Sequence, residues 1–218
     1  MITISSAVKQ IVEESFLIEE GLNRDLINLS SLAREMKPKI ISMTKKTVKD
    51  NAIVVALKRI SIQIRSENKI RHSIFKTAPE IILRSNLTTI TYAKSQTLLT
   101  GFDNLLDVLR SNSNLFLALS YGVFETGITI NHTFCHQLEL KLKSEKVVKK
   151  VDNLSAITII LPEENIHVPG VYYDILKILA WNKINIIDIV STYRELTIII
   201  SNSQIDEAFS SLKKLFIK

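Results

Sequence analysis

The closest approach to a chemical constellation is His132-Thr133-Phe134-Cys135-His136, two imidazoles one helical turn apart with a thiol between them. Imidazole and thiolate are the ligands of structural zinc, but a closed site takes four of them. On a helix Cys135 turns to a different face from the two histidines, so no metal is expected and Cys135 should behave as a small buried hydrophobe. Glu163 and Glu164 pair two carboxylates in a loop with no acid or base partner nearby in sequence, which gives hydrolysis little support. No phosphate-binding G-x-x-x-x-G-K-[ST], G-x-G-x-x-G, H-E-x-x-H or G-x-S-x-G motif occurs, and 5 glycines leave little material for a phosphate-cradling loop. The expectation is a protein that is not an enzyme, with no catalytic residues, no metal and no cofactor.

Two other features could bind rather than react. Pro169-Gly170 precedes an apolar helical pattern, and a helix start offers unpaired backbone N–H groups to a carboxylate. Gly170 removes the side chain that would block the approach; the alternative is that Pro169-Gly170 only starts the helix. The second feature is charge. Residues 1–78 hold 14 Lys and Arg against 8 Asp and Glu, residues 79–218 hold 14 of each, and the whole net charge of +6 is therefore N-terminal. Between Lys37 and Lys76, 11 basic residues face only Asp50 and Glu67, which is the footprint of a surface for a polyanion such as nucleic acid. The alternative there is a solvated helical face.

The elements that must carry these residues follow from periodicity. A helix is expected from Ser5 or Ser6 to about Glu20 on Val8, Ile11, Val12, Ser15 and Phe16, ended by Gly21. Ser30 should cap a short helix bearing Leu32, Ala33 and Met36, which Pro38 closes or restarts. A third helix starts near Asp50 with Ile53, Val54, Leu57, Ile60 and Ile64 facing inward; residues 66–76 read equally as wing, helix or linker. From Glu80 the period shortens. Strands are expected at 81–83, 87–92, 115–120, 123–130 and 147–151, with helices at 95–109 and 135–142. The same order then recurs: strand 156–161, helix 170–181, strands 184–190 and 195–200, helix 204–215. Two consecutive split βαβ units thus fill residues 80–216.

The run AITIILPEENIHVPGVYYDILKILAWNKINIIDIVSTYRELTIII, residues 156–200, resembles the ACT domain, especially its tandem form in aspartate kinases. In that family the loop and the following strand of a neighbouring module hold an amino acid. The resemblance therefore implies a ligand site at His167, Val168, Pro169, Gly170, Val171, Asn185 and Asp188. The first copy resembles the family in element order alone, since its loop at Lys94–Thr97 lacks Pro-Gly. INLSSLAREMKP followed by NAIVVALKRI resembles a helix-turn-helix or winged-helix domain, in which the third helix enters the major groove. That resemblance implies DNA-facing roles for Lys45, Lys46, Lys49, Asn51, Lys58 and Arg59.

The fold expected is α+β: a basic helical helix-turn-helix-like domain at 1–78, then two ferredoxin-like βαββαβ, ACT-like modules at 79–152 and 153–218. The function expected is a ligand-responsive regulator, a transcriptional regulator that senses an amino acid or related small molecule. The alternative is a stand-alone regulatory or oligomerisation subunit that binds an amino-acid biosynthetic enzyme without touching DNA. Expected partners are the small molecule, DNA and a second copy of the chain, because side-by-side modules leave sheet edges that pairing would cover. A single cysteine excludes an intrachain disulfide framework, and the Met1 start lacks the pattern of a signal peptide. No stretch reaches the roughly 18 apolar residues of a membrane span. A cytoplasmic location without membrane contact is the corresponding expectation.

Overall fold

The chain divides into two units, Met1–Ser73 and Ile74–Lys218. A computed structural model describes residues 2–76, 80–98 and 115–216, and the element labels below number the described elements alone. The fold class is the one expected, α+β with N-terminal helices followed by two ferredoxin-like modules.

The first unit contains α1 (Ile4–Glu13), α2 (Phe16–Asn23), α3 (Leu29–Thr44) and most of α4 (Asp50–Lys76). Thr3, not Ser5 or Ser6, caps α1, its hydroxyl accepting from the Ser6 N–H at 3.1 Å. The expected single helix to Glu20 is two, separated at Glu14 and Ser15. Gly21 does not terminate it but lies inside α2, where Ile27 packs so close that an added Cβ would stand 2.4 Å from Ile27 Cδ1. The cap of α3 is Asn28 rather than Ser30; its side-chain oxygen accepts from the N–H groups of Ser30 and Ser31, both at 3.0 Å.

Pro38 neither closes nor restarts α3, which runs on to Thr44. A proline ring deprives the turn before it of one hydrogen bond, but Pro38 is on the exposed side, where water can serve the freed carbonyl. The stripe Leu32, Ala33, Met36 and Ile40 stays buried throughout. In α4, Ile53, Leu57 and Ile64 join the same core as Val8, Ile11 and Val12, and Val54 and Ile60 pack at its margin. Residues 66–76 continue α4 as helix, neither wing nor linker. No strand occurs among the described residues of this unit.

The second unit is built on one six-stranded antiparallel sheet of order β2-β3-β1-β4-β6-β5. Its strands are β1 (Ile81–Ala93), β2 (Leu117–Tyr121), β3 (Glu125–Asn131), β4 (Val147–Ile160), β5 (Ile186–Ser191) and β6 (Glu195–Ser201). The helices are α5 (His132–Lys141), α6 (Val171–Trp181) and α7 (Ile205–Phe216). The helix expected at 95–109 lies, beyond Leu98, outside the described residues.

Where the sequence predicts separate strands at 81–83 and 87–92, β1 is continuous, and β4 likewise unites 147–151 with 156–161. The residues that suggest breaks are local bulges. Asn86 and Asn153 take left-handed backbone at φ 58° and 57°, a conformation asparagine tolerates better than most side chains. The register shifts there, Arg84 pairing with Ala156 but Leu87 with Leu154. Beyond the bulge β1 continues with β3 as the first copy; before it, Ile81–Arg84 pair with Ala156–Ile159 and supply a fourth strand to the second.

Alternation along the strands sorts two faces. Ile157, Ile159, Leu196, Ile198 and Ile200 pack with Val171, Ile175 and Leu179 of α6, Ala208 and Leu212 of α7, and Ile74 and Phe75 at the end of α4. Phe75 meets Phe216 edge to face at 5.7 Å between ring centroids. In the first copy Ile90, Tyr92, Ile128 and Ile130 pack with Cys135 and Leu138 of α5. The opposite face carries a separate cluster of Leu87, Leu154, Ala156 and Ile199. Hydroxyl pairs Thr89–Thr129 at 2.7 Å and Thr158–Thr197 at 2.8 Å lie on that face too, each group serving the other out of water.

Candidate ligand site and basic face

The loop from β4 to α6 is held by backbone and by one buried amide. Leu161 exchanges two hydrogen bonds with Arg194: its N–H donates to the Arg194 carbonyl at 2.7 Å and its own carbonyl accepts from Arg194 Nε at 3.1 Å. Asn165, 7% exposed, donates from Nδ2 to the carbonyl of Pro162 at 2.8 Å and towards that of Tyr193 at 3.3 Å. These contacts fasten a 3₁₀ turn, Glu163–His167, to the β5–β6 turn. Sequence reasoning missed Asn165 and Arg194, because nothing in their spacing announces a pairing between segments about 30 residues apart.

Gly170 then turns the chain at φ 87°, a left-handed conformation that costs any residue with a Cβ, and its carbonyl accepts from Asp174 N–H at 3.1 Å in the first turn of α6. Of the nominated residues, His167 and Pro169 are exposed and Val168 and Gly170 half-buried, while Val171 is buried in the core and can offer only backbone. An α-helix leaves its first N–H groups without an intrahelical acceptor, and in the first turn of α6 the carboxylate of Asp174 is buried beside them.

Asn185 and Asp188 do not join this group within one module. Asn185 lies past the far end of α6, whose 11 residues span about 16 Å. There its N–H donates towards Gln204 Oε1 at 3.3 Å. Asp188 sits on β5, an edge strand, at a register shift, and its carboxylate accepts from the Ile189 N–H at 2.8 Å. The loop Pro169-Gly170 and the edge carboxylate are therefore separate features of one module.

The corresponding loop of the first copy is tied down differently. Ser95 Oγ accepts from the Leu98 N–H at 2.9 Å, and Ser95 and Thr97 both donate hydroxyls to Glu145. The two hydroxyls, Ser95 first, hold the Glu145 carboxyl below its ordinary range. The polar groups of this loop satisfy one another.

In the first unit Lys45, Lys46 and Lys49 lie in the connection between α3 and α4, with Lys45 closing α3 at φ 55°. Asn51, Lys58 and Arg59 are on α4, and all six nominated residues are exposed. Asn51, Val55 and Lys58 recur at i, i+4, i+7 and share one face. Arg59 turns from them into a hollow of about 330 Å³ lined also by Ser5, Ser6, Lys9, Ala56, Ile60 and Gln63. Lys37 is spent on Asp50 at 2.7 Å and Lys39 on Glu14 at 2.7 Å.

Around α5 the buried hydroxyl of Thr88 contacts His132 Nδ1 at 2.9 Å and donates to Asp152 Oδ1 at 2.7 Å. Cys135 is 3% exposed and burial pushes its thiol pKa up, which disfavours the thiolate. Among the described residues no group of three or more His, Cys, Asp and Glu is placed to hold a metal ion, and no helix is long and apolar enough to cross a membrane.

No protein-family model matches the chain, and no curated protein matches it. Solved structures do. The chain is similar to an aspartate kinase of Clostridium acetobutylicum with a TM-score of 0.51 and 16% identity, 62% of this chain matching 34% of that one. It is similar to a structure of aspartokinase α and β subunits with a TM-score of 0.52 and 18% identity, 62% of this chain matching 96% of that one. A third likeness is to aspartate kinase from Synechocystis, TM-score 0.52 and 14% identity, over 66% of this chain and 27% of the other. The chain thus spans about a third or less of the full-length kinases and nearly all of the smaller subunit chain. At these identities the likeness is one of fold.

Proposed function

We propose that the chain is a ligand-responsive regulatory protein whose two ACT-like modules, 79–152 and 153–218, sense an amino acid or a related small molecule. The observation that carries the reading is the likeness in fold to aspartate kinase structures, together with the left-handed Gly170 turn that leaves backbone donors at the start of α6. A carboxylate would sit against the N–H groups at Pro169-Gly170-Val171, with His167 and Val168 at its rim. Asn185 and Asp188 of a second copy would complete the site from the edge strand β5, because one module keeps them apart from the loop. A homodimer follows from the same arrangement, the pairing covering an otherwise open edge.

The finer reading is transcriptional regulation. Five of the six nominated basic-face residues, Lys45, Lys46, Lys49, Asn51 and Lys58, gather at the start of α4 and along one of its faces, a disposition that suits phosphate and groove contacts. Ligand would act by linkage: it shifts the chain between two arrangements of paired heads only by as much as it binds one better than the other. A mobility-shift assay on random duplex tests this half. Binding at low salt that weakens steeply as salt rises supports it, and no binding at low salt removes it.

The second reading is a regulatory subunit for an amino-acid biosynthetic enzyme. The observation in its favour is that this chain matches 96% of a subunit-sized aspartokinase chain. A chain that ignores duplex DNA but co-elutes with such an enzyme would bear out this reading.

A further inference from the structure

We propose that His132 and His136 form an open two-imidazole site for a late first-row divalent cation, Zn²⁺ or Cu²⁺, on the exposed face of α5. The two stand four residues apart in one continuous helix, a rise of about 6 Å, on the same face. Both are exposed, His132 with 53% of its side chain accessible. Imidazole suits these cations, and two histidines at this spacing on one helical face are a recurring metal-binding pair.

What distinguishes the pair from two surface histidines lies behind His132. Thr88, wholly buried in β1, places its hydroxyl 2.9 Å from His132 Nδ1 and 2.7 Å from Asp152 Oδ1 of β4. Asp152 is itself 3.5 Å from the same nitrogen. An ionised carboxylate only accepts, so the single hydroxyl proton of Thr88 goes to Asp152. The Thr88 oxygen is then left to accept from Nδ1–H. This fixes the hydrogen of the imidazole on Nδ1 and its lone pair on Nε2, the form that binds a metal. A hydrogen-bonded second partner that sets tautomer and ring orientation is the usual support of a metal-ligating histidine.

Water would fill the remaining coordination positions, which separates this site from the closed four-ligand centre that the sequence argues against. Cys135, buried with Ile90, Tyr92 and Leu138, supplies no ligand, although its thiol also lies within reach of the Thr88 hydroxyl. The site belongs to the first copy and is independent of the sensing proposed for the second.

Calorimetry of the full chain with ZnCl₂ and with CuCl₂ tests the assignment, with the Cu²⁺ electron-spin spectrum reporting nitrogen ligands. One ion per chain is expected. His132→Gln and His136→Gln should each weaken binding at least about ten-fold, and Thr88→Val, which keeps the shape and removes the hydroxyl, by about ten-fold. Circular dichroism checks that each variant is folded. Parental affinity in either histidine variant or in folded Thr88→Val overturns the proposal. Because His136 is exposed, its variant decides the question even where Thr88→Val fails to fold.

Discussion

Ile81 lies directly opposite Ile159 in the antiparallel β1–β4 pair, so the first residues of β1, counted in sequence with the first copy, complete the sheet of the second. The two modules are consequently not beads on a string: β1 and β4 each belong to both.

Shared strands make stability shared. Ile157 is fully buried in the second copy's core, and Ile157→Ala is expected to cost about 2–5 kcal/mol. Hydrogen exchange would follow the amides of Ile90 and Ile128 in the first copy, which should lose protection together with those of Ile198 and Ile200. Unchanged protection in the first copy would mean that the two halves open separately.

The tandem order of elements, the apolar stripe of α4 and the Pro169-Gly170 turn were all legible in the sequence, because each rests on a local period or a local conformational need. Continuity of β1 and β4 was not. Asn86 and Asp152-Asn153 carry ordinary turn chemistry, and only pairing with a distant strand converts such residues into bulges. The same limit hid the Asn165 and Arg194 contacts of the ligand loop, and spacing alone does not show that within one module a whole helix separates His167 from Asn185. Gly21 misled for a different reason: it serves the close approach of Ile27, not the end of a helix.

Gly21→Ala would gain about 1 kcal/mol of helix propensity. It would also force a methyl against Ile27, an overpacking that costs about 1–3 kcal/mol. A lower melting temperature of the first unit is expected, with partial recovery in Gly21→Ala/Ile27→Val. An equal or raised melting temperature for the single variant would show that Ile27 moves aside freely.

Tyr92 is 1% exposed, and its hydroxyl has no hydrogen-bond partner among the described residues. Burial, with the neighbouring Glu139 charge second, pushes its pKa up to about 12. Tyrosine is neutral when protonated, so the folded state holds the proton more tightly than the unfolded chain. The resulting stability is whole below the unfolded value near 10 and is lost as pH rises from there towards 12. Tyr92→Phe should therefore be at least as stable as the parent at pH 7 and lose less of its melting temperature above pH 10. Parallel pH profiles for the two proteins would contradict this.

If the start of α4 meets DNA, the triple change Lys45→Glu, Lys46→Glu, Lys49→Glu should weaken duplex binding at every sequence and lower the salt slope by up to about 3. Arg59→Glu should matter less, since Arg59 lines the hollow beside Lys9. A larger loss for Arg59 than for the lysines would place the nucleic acid on the other side of α4.

The sensing claim stands most directly on calorimetry of the full chain against each of the twenty amino acids, repeated with Gly170→Ala. A methyl at φ 87° costs about 1–2 kcal/mol and crowds the N–H groups offered to a carboxylate. The account predicts saturable binding of one amino acid or a few related ones, at least ten-fold weaker in the folded Gly170→Ala variant. No heat and no shift in melting temperature across the panel, or binding that Gly170→Ala leaves intact, would contradict it.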